Sequence, residues 1–114
     1  MAHWINRSAY LVRFREPYLK WAAGINAKAG DHLTSWRDNI SVYLVAEDPK
    51  GEEDATPLED YFEEIFDREL EAWCPDESFW PQNRTFELFN QWFKVDVQGI
   101  VTDLDSDQLE RENI

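Results

Sequence analysis

Five carboxylates, Asp60, Glu63, Glu64, Asp67 and Glu71, recur at helical spacing within this 114-residue chain. At about 100° per residue they fall on one side of a helix, opposite Leu58, Tyr61, Phe62, Ile65, Phe66 and Trp73. Each residue advances the axis by ~1.5 Å, so the five charges occupy ~16 Å, about one per 4 Å. A nucleic-acid strand carries one phosphate per ~3.4 Å. The like-charge pairs Asp60/Glu64 and Glu63/Asp67 each cost ~0.2–0.5 kcal/mol, and a helix built only for stability would carry lysines there. Two uses fit the pattern. One is a plain solvated face whose cost is absorbed by packing behind it. The other is a surface for a basic partner, such as a nuclease or a DNA-binding protein.

Other constellations are thinner. Glu64-x-x-Asp67 sets two carboxylates on one helical turn, a spacing found in Mg²⁺ sites. Such sites need a facing carboxylate pair, and the next helical stretch, 85–93, offers only Glu87. His3 and His32 have no His or Cys at ligand spacing, so the residues call for no metal and no cofactor. Cys74, between Trp73 and Pro75, reads as a small buried hydrophobe at a helix end. The four glycines are isolated, and no nucleophile elbow or phosphate loop occurs. With no catalytic set assembled, an enzyme that depends on a carboxylate or a metal is the weakest reading.

Glu69 stands apart, because helical spacing puts it among Ile65, Phe66 and Trp73 on the apolar face. A buried carboxylate there must find a partner. Either Arg13 or Arg15 supplies it, or the position near the helix end opens to solvent; the functional alternative is an acid poised in a cleft. The aromatic content, six Trp, four Tyr and seven Phe, exceeds the needs of a small core. These rings either fill the core and pin the connection around 74–84, or leave Phe79, Trp80 and Trp92 as a surface patch for association.

Local patterns supply the elements that hold these groups. Residues 8–15 alternate as a strand, and Glu16-Pro17 opens a helix with Tyr18, Trp21, Ala22, Ile25 and Ala29 on one stripe. Residues 32–39 form a connection in which Trp36 folds down onto the core. Residues 40–46, Ile-Ser-Val-Tyr-Leu-Val-Ala, are nearly all apolar and predict a central strand. Residues 47–55 hold five acids with Pro49 and Gly51 and read as a solvated loop. Thr56-Pro57-Leu58-Glu59 predicts an N-capped helix start running to Trp73. Residues 85–93 form a short helix whose Phe86, Leu88, Phe89, Trp92 and Phe93 spread over an arc of about 160°. Residues 94–104 predict one last strand with a bulge at Gly99. The expected fold is a single α+β domain over 1–104, in the order β-α-β-α-α-β, with helices on a small mainly antiparallel sheet. Residues 105–114 form a polar tail that frays.

Charge and length limit the functions. The chain carries 24 acids against 11 bases, a net charge of −13. Residues 1–46 hold +3 and residues 47–114 hold −16. So acidic a chain is unsuited to direct nucleic-acid binding or to anionic membranes, and no apolar run approaches the ~18–20 residues of a membrane span. A single cysteine gives no internal disulfide framework and suits a reducing cytoplasm.

The run Glu71-Ala-Trp-Cys-Pro-Asp-Glu-Ser-Phe-Trp-Pro, the following Arg84-Thr-Phe-Glu-Leu-Phe and the Trp92-Phe93 pair lie within the stretch 58–104. Together with Trp4-Ile-Asn-Arg and the Pro17 helix start, they resemble a family of small acidic bacterial proteins of unknown function. The resemblance implies a bacterial cytoplasmic protein and transfers no activity or site residue. The sequence therefore points to a non-enzymatic interaction module that presents the acidic helix face, with homo-oligomerisation left open. Its runner-up is an acidic inhibitor, a nucleic-acid mimic of a basic nucleic-acid-binding protein.

Overall fold

Period-two patterning drives the sheet. In the strand Arg7–Phe14, Ser8, Tyr10, Val12 and Phe14 point to one face, and the first three are buried. The computed structural model describes residues 2–25, 40–48, 50, 51 and 56–114. Its elements are β1 (His3–Trp4), β2 (Arg7–Phe14), α1 (Glu16–Ile25), β3 (Ile40–Ala46), α2 (Phe62–Trp73), α3 (Phe86–Trp92), β4 (Phe93–Gln98) and β5 (Thr102–Asp103). Short 3₁₀ turns at Leu58–Asp60 and Glu77–Phe79 flank α2. The α+β domain expected from sequence is what forms. Ala29 of the first helical stripe, and His32 and Trp36 of the connection that follows, lie outside the described residues, as do Pro49 and 52–55 of the acidic loop.

Strands β3, β2 and β4 make one antiparallel sheet with β2 in the middle, and β1 pairs with β5 in a separate ribbon. This corrects the expected central place of 40–46. Among the described strands β3 is an edge, bonded only to β2, in the register Tyr10↔Tyr43. Its near-continuous apolarity does not reflect burial on two faces, since Val42 is 59% and Leu44 49% exposed. The single predicted strand over 94–104 is also corrected. Beyond Gln98 the chain bends at Gly99, and its last residues pair with β1 instead of extending β4.

One face of the sheet carries the core. Tyr10, Val12 and Val45 pack there with Tyr18 and Leu19 of α1, Ile65, Phe66 and Leu70 of α2, Phe89 of α3, Trp80 and Phe93. Leu11, Val42 and Leu44 project to the opposite face and take no part in this cluster. There Arg13 lies opposite Lys94, a like-charge pair, and is relieved by a salt bridge from its Nε to Asp96 Oδ2 at 3.3 Å.

The aromatic surplus is used as backbone staples as well as core filling. The Trp21, Trp73 and Trp80 indoles donate to the carbonyls of Phe79 (2.8 Å), Ala22 (3.0 Å) and Cys74 (2.8 Å). They tie α1, α2 and the 74–81 connection together. A buried indole needs such an acceptor, so each ring fixes a direction as well as filling volume.

Helix starts divide into one expected and one corrected. Thr85 caps α3, its Oγ1 accepting from the Leu88 N–H at 3.1 Å. Thr85→Ala is therefore expected to cost about 1 kcal/mol, read as a lower urea midpoint at unchanged slope. Thr56 does not cap α2. Its N–H donates to the Ala46 carbonyl and its hydroxyl to the Glu47 carbonyl, so it closes the loop onto β3 instead. The α-helix begins only at Phe62, and Leu58–Asp60 forms a 3₁₀ turn. Residues 105–114 are exposed and carry no helix or strand.

Candidate acidic interface

The acidic face is built on a well-anchored helix. Ile65, Phe66, Glu69 and Leu70 bury the inner side of α2. The outward side presents Glu63, Glu64, Asp67 and Glu71, with Asp60 contributed by the preceding 3₁₀ turn. Asp60, Glu63, Glu64 and Glu71 are exposed and Asp67 is half-buried.

Two of the five carboxylates are paired. Arg68 Nη2 lies 3.2 Å from Glu64 Oε1, one helical turn back, and Arg84 Nε lies 3.2 Å from Asp67 Oδ1. The first pair was legible as an i, i+4 spacing, whereas Arg84 arrives from the connection before α3 and has no local signature. Asp60, Glu63 and Glu71 have no ion pair among the described residues. The basic first strand does not cover this face: Arg13 is held by Asp96, and Arg15 Nε donates to the Phe93 carbonyl at 3.1 Å. With arginines on both Glu64 and Asp67, the i, i+3 carboxylate pair is already matched with cations. Among the described residues no group of three or more His, Cys, Asp or Glu is placed to hold a metal ion.

Glu69 is buried, at 5% exposure, as its helical position requires. Its partner is not the expected arginine. The Tyr43 hydroxyl, on the inner face of β3, donates to Glu69 Oε1 at 2.5 Å, and the Tyr18 hydroxyl donates to the Glu69 carbonyl at 2.7 Å. Burial, followed by the Glu69 hydrogen bond and charge, pushes the Tyr43 hydroxyl above its ordinary 10.0. Burial and the Glu69 charge do the same to Tyr18. Both tyrosines stay neutral donors at neutral pH: Tyr43 serves the buried carboxylate and Tyr18 the main-chain carbonyl of the same residue. Buried and bonded to Tyr43, Glu69 has no second acid, base or nucleophile hydrogen-bonded to its carboxylate among the described residues that would support the poised-acid reading.

The aromatic patch is corrected. Phe79 is 59% exposed, but Trp80 is buried and Trp92 packs against Tyr18, Trp21 and Phe66. Cys74 is free and buried, its thiol 3.7 Å from the Asp76 carbonyl. His3 is exposed on β1.

Sequence inspection missed a groove where the acidic face meets the sheet. It is lined by Ser41, Val42 and Tyr43 of β3 and by Arg68, Glu71 and Ala72 of α2, with Ile114 at its rim, and encloses about 570 Å³. A second depression, lined by Asp60, Glu63, Glu64, Asp67, Arg68 and Glu71, adjoins it along α2. The open edge of β3 and the acidic face are thus parts of one surface.

Fold and site define a small α+β domain with its helices on one face of an antiparallel sheet and an acidic helix beside a strand edge that is unpaired among the described residues. Comparison with known proteins adds no relative: no family model, curated protein or solved structure matches the chain. No helix among the described residues is long and apolar enough to cross a membrane.

Proposed function

We propose that this chain is a non-enzymatic protein-binding module that docks a basic partner protein on the acidic face of α2. One observation carries the reading: among the described residues Asp60, Glu63 and Glu71 have no ion pair, on a face whose other two carboxylates, Glu64 and Asp67, are held by arginines. Unpaired like charges on one face raise the local potential, steer an oppositely charged partner and are relieved when it docks. The setting this reading fits is the bacterial cytoplasm, in line with the resemblance above and with a single free cysteine. The net charge of −13 speaks against nucleic acid as the direct partner.

An inhibitor that imitates a nucleic-acid strand is the second reading, favoured by the charge spacing along α2. It ranks lower because Arg68 and Arg84 interrupt the row of charge and Asp60 leaves the helical repeat.

The triple variant Asp60→Asn, Glu63→Gln, Glu71→Gln tests the proposal with a lysine-rich peptide as probe. Exposed ion pairs contribute ~0.2–1 kcal/mol each, so three predict roughly tenfold weaker binding. Wild-type affinity should itself fall as salt rises from 50 to 500 mM, as the Debye length shortens to a few ångströms. Stability should hold or rise slightly, because the variant removes only repulsion. Equal affinity of wild type and variant at low salt would sink the proposal.

A further inference from the structure

We infer that the open edge of β3 is a strand-addition site for an extended segment of the partner in which apolar and basic residues alternate. The inference rests on the reading of a basic partner given above and adds how that partner is held.

The direction of the β3 main chain follows from Ala46. Its N–H donates to the Tyr61 hydroxyl at 3.3 Å and its carbonyl accepts from the Thr56 N–H at 3.0 Å, so both groups point away from β2. Main-chain groups in an antiparallel ladder alternate sides, so those of Val42 and Leu44 point the same way. Among the described residues nothing hydrogen-bonds to them. Thr56 and Tyr61 close one end of the edge, and among the described residues the middle stays open. The strand Ile-Ser-Val-Tyr-Leu-Val-Ala has no charge, proline or glycine. Its own sequence thus lacks the charges and proline that keep edge strands from pairing. A row of free donors and acceptors beside a groove is the setting in which an extended peptide adds to a sheet.

The two sides of this edge specify the occupant. On the outer face lie the exposed Val42 and Leu44 side chains. A residue opposite either one in a new ladder presents its side chain to the same face, so apolar residues fit there. On the inner face the groove runs over Arg68, Glu71 and Ala72, with Glu63 and Glu64 beyond. Glu71 and Glu63 have no ion pair among the described residues, and the intervening residues of the added strand meet them best as lysine or arginine. A second copy of this chain fits poorly. Pairing β3 with β3 would bring two acidic α2 faces together, each on a chain of net charge −13.

The test uses the full chain and two peptides of the length of β3. One alternates lysine and valine, and the other is identical but N-methylated at its valines, whose amides would face β3. The unmodified peptide is expected to bind at low salt and to slow hydrogen exchange at the Val42 and Leu44 amides. The N-methylated peptide is expected to bind at least about tenfold more weakly, through lost hydrogen bonds at equal charge. Equal affinity for both peptides would overturn strand addition while leaving electrostatic docking on α2 intact. Failure of both to bind at low salt would overturn the docking reading as well. Protection of Val42 and Leu44 that grows with protein concentration in the absence of peptide would assign the edge to a second copy and overturn the inference.

Discussion

Phe66→Ala is expected to lower the unfolding free energy by about 3–5 kcal/mol, among the largest losses a single substitution can cause. Phe66 is fully buried, and its ring meets Phe89 at 5.7 Å, Trp92 at 5.7 Å and Phe93 at 5.4 Å between centroids. It joins α2 to α3 and to the start of β4. These large rings sit at the ends of rigid elements, so little can relax into the space an alanine leaves, and the cavity cost adds to the lost transfer energy. Against a total of about 5–15 kcal/mol for a domain, such a loss brings the variant near its unfolding threshold. The acidic face should fail with it, because α2 keeps its carboxylates aligned only while its apolar side is packed. Urea unfolding followed by tryptophan fluorescence measures the effect. A loss under about 1 kcal/mol would show that α2 is not anchored through this ring.

The second large effect is expected at Tyr43→Phe. Deleting one hydroxyl leaves the buried Glu69 carboxylate without the 2.5 Å donor that satisfies it. A buried acceptor left unmatched costs about 1–3 kcal/mol, and more when it is charged. The paired change Tyr43→Phe, Glu69→Leu removes both polar groups and should recover most of the loss, since the penalty lies in the orphaned carboxylate and not in the missing bond. If the double variant is as unstable as the single one, Tyr43 acts by packing alone.

The same hydroxyls set an alkaline limit. Tyr43 and Tyr18 are held above 10.0 in the folded chain, chiefly by burial and then by Glu69. An acid whose folded pKa exceeds its unfolded one binds its proton more tightly when folded. The stability it supplies is complete below about pH 10 and is lost as pH rises beyond that. Stability measured from pH 8 to 11 should therefore fall on the alkaline side, and Tyr43→Phe should make that fall shallower.

Several features were legible locally. The burial of Tyr18 and Ala22 in α1, the apolar side of α2 and the cap at Thr85 all follow from residues within two turns of one another. Glu69 was recognisable as a buried carboxylate for the same reason. Its donor was not, because Tyr43 is 26 residues away on another element and looks like any strand aromatic. Thr56 misled for a related reason. Its sequence neighbours form a good capping box, yet tertiary contact with Ala46 and Glu47 claims its polar groups first.

The sequence by itself determined the α+β class, the acidic face of α2 and the need to satisfy Glu69. Each depends on the period of a helix or strand and on the sign of charge, which are local quantities. Only the tertiary structure decided that β2 and not β3 is central, that Tyr43 meets Glu69, and that Arg84 takes Asp67 out of the acidic row. Strand order and cross-element pairing depend on which distant surfaces bury each other, and no window along the chain contains both. That is also why the open edge of β3 and its adjoining groove emerge only in three dimensions. An apolar strand reads the same in sequence whether both of its edges are paired or one is left free.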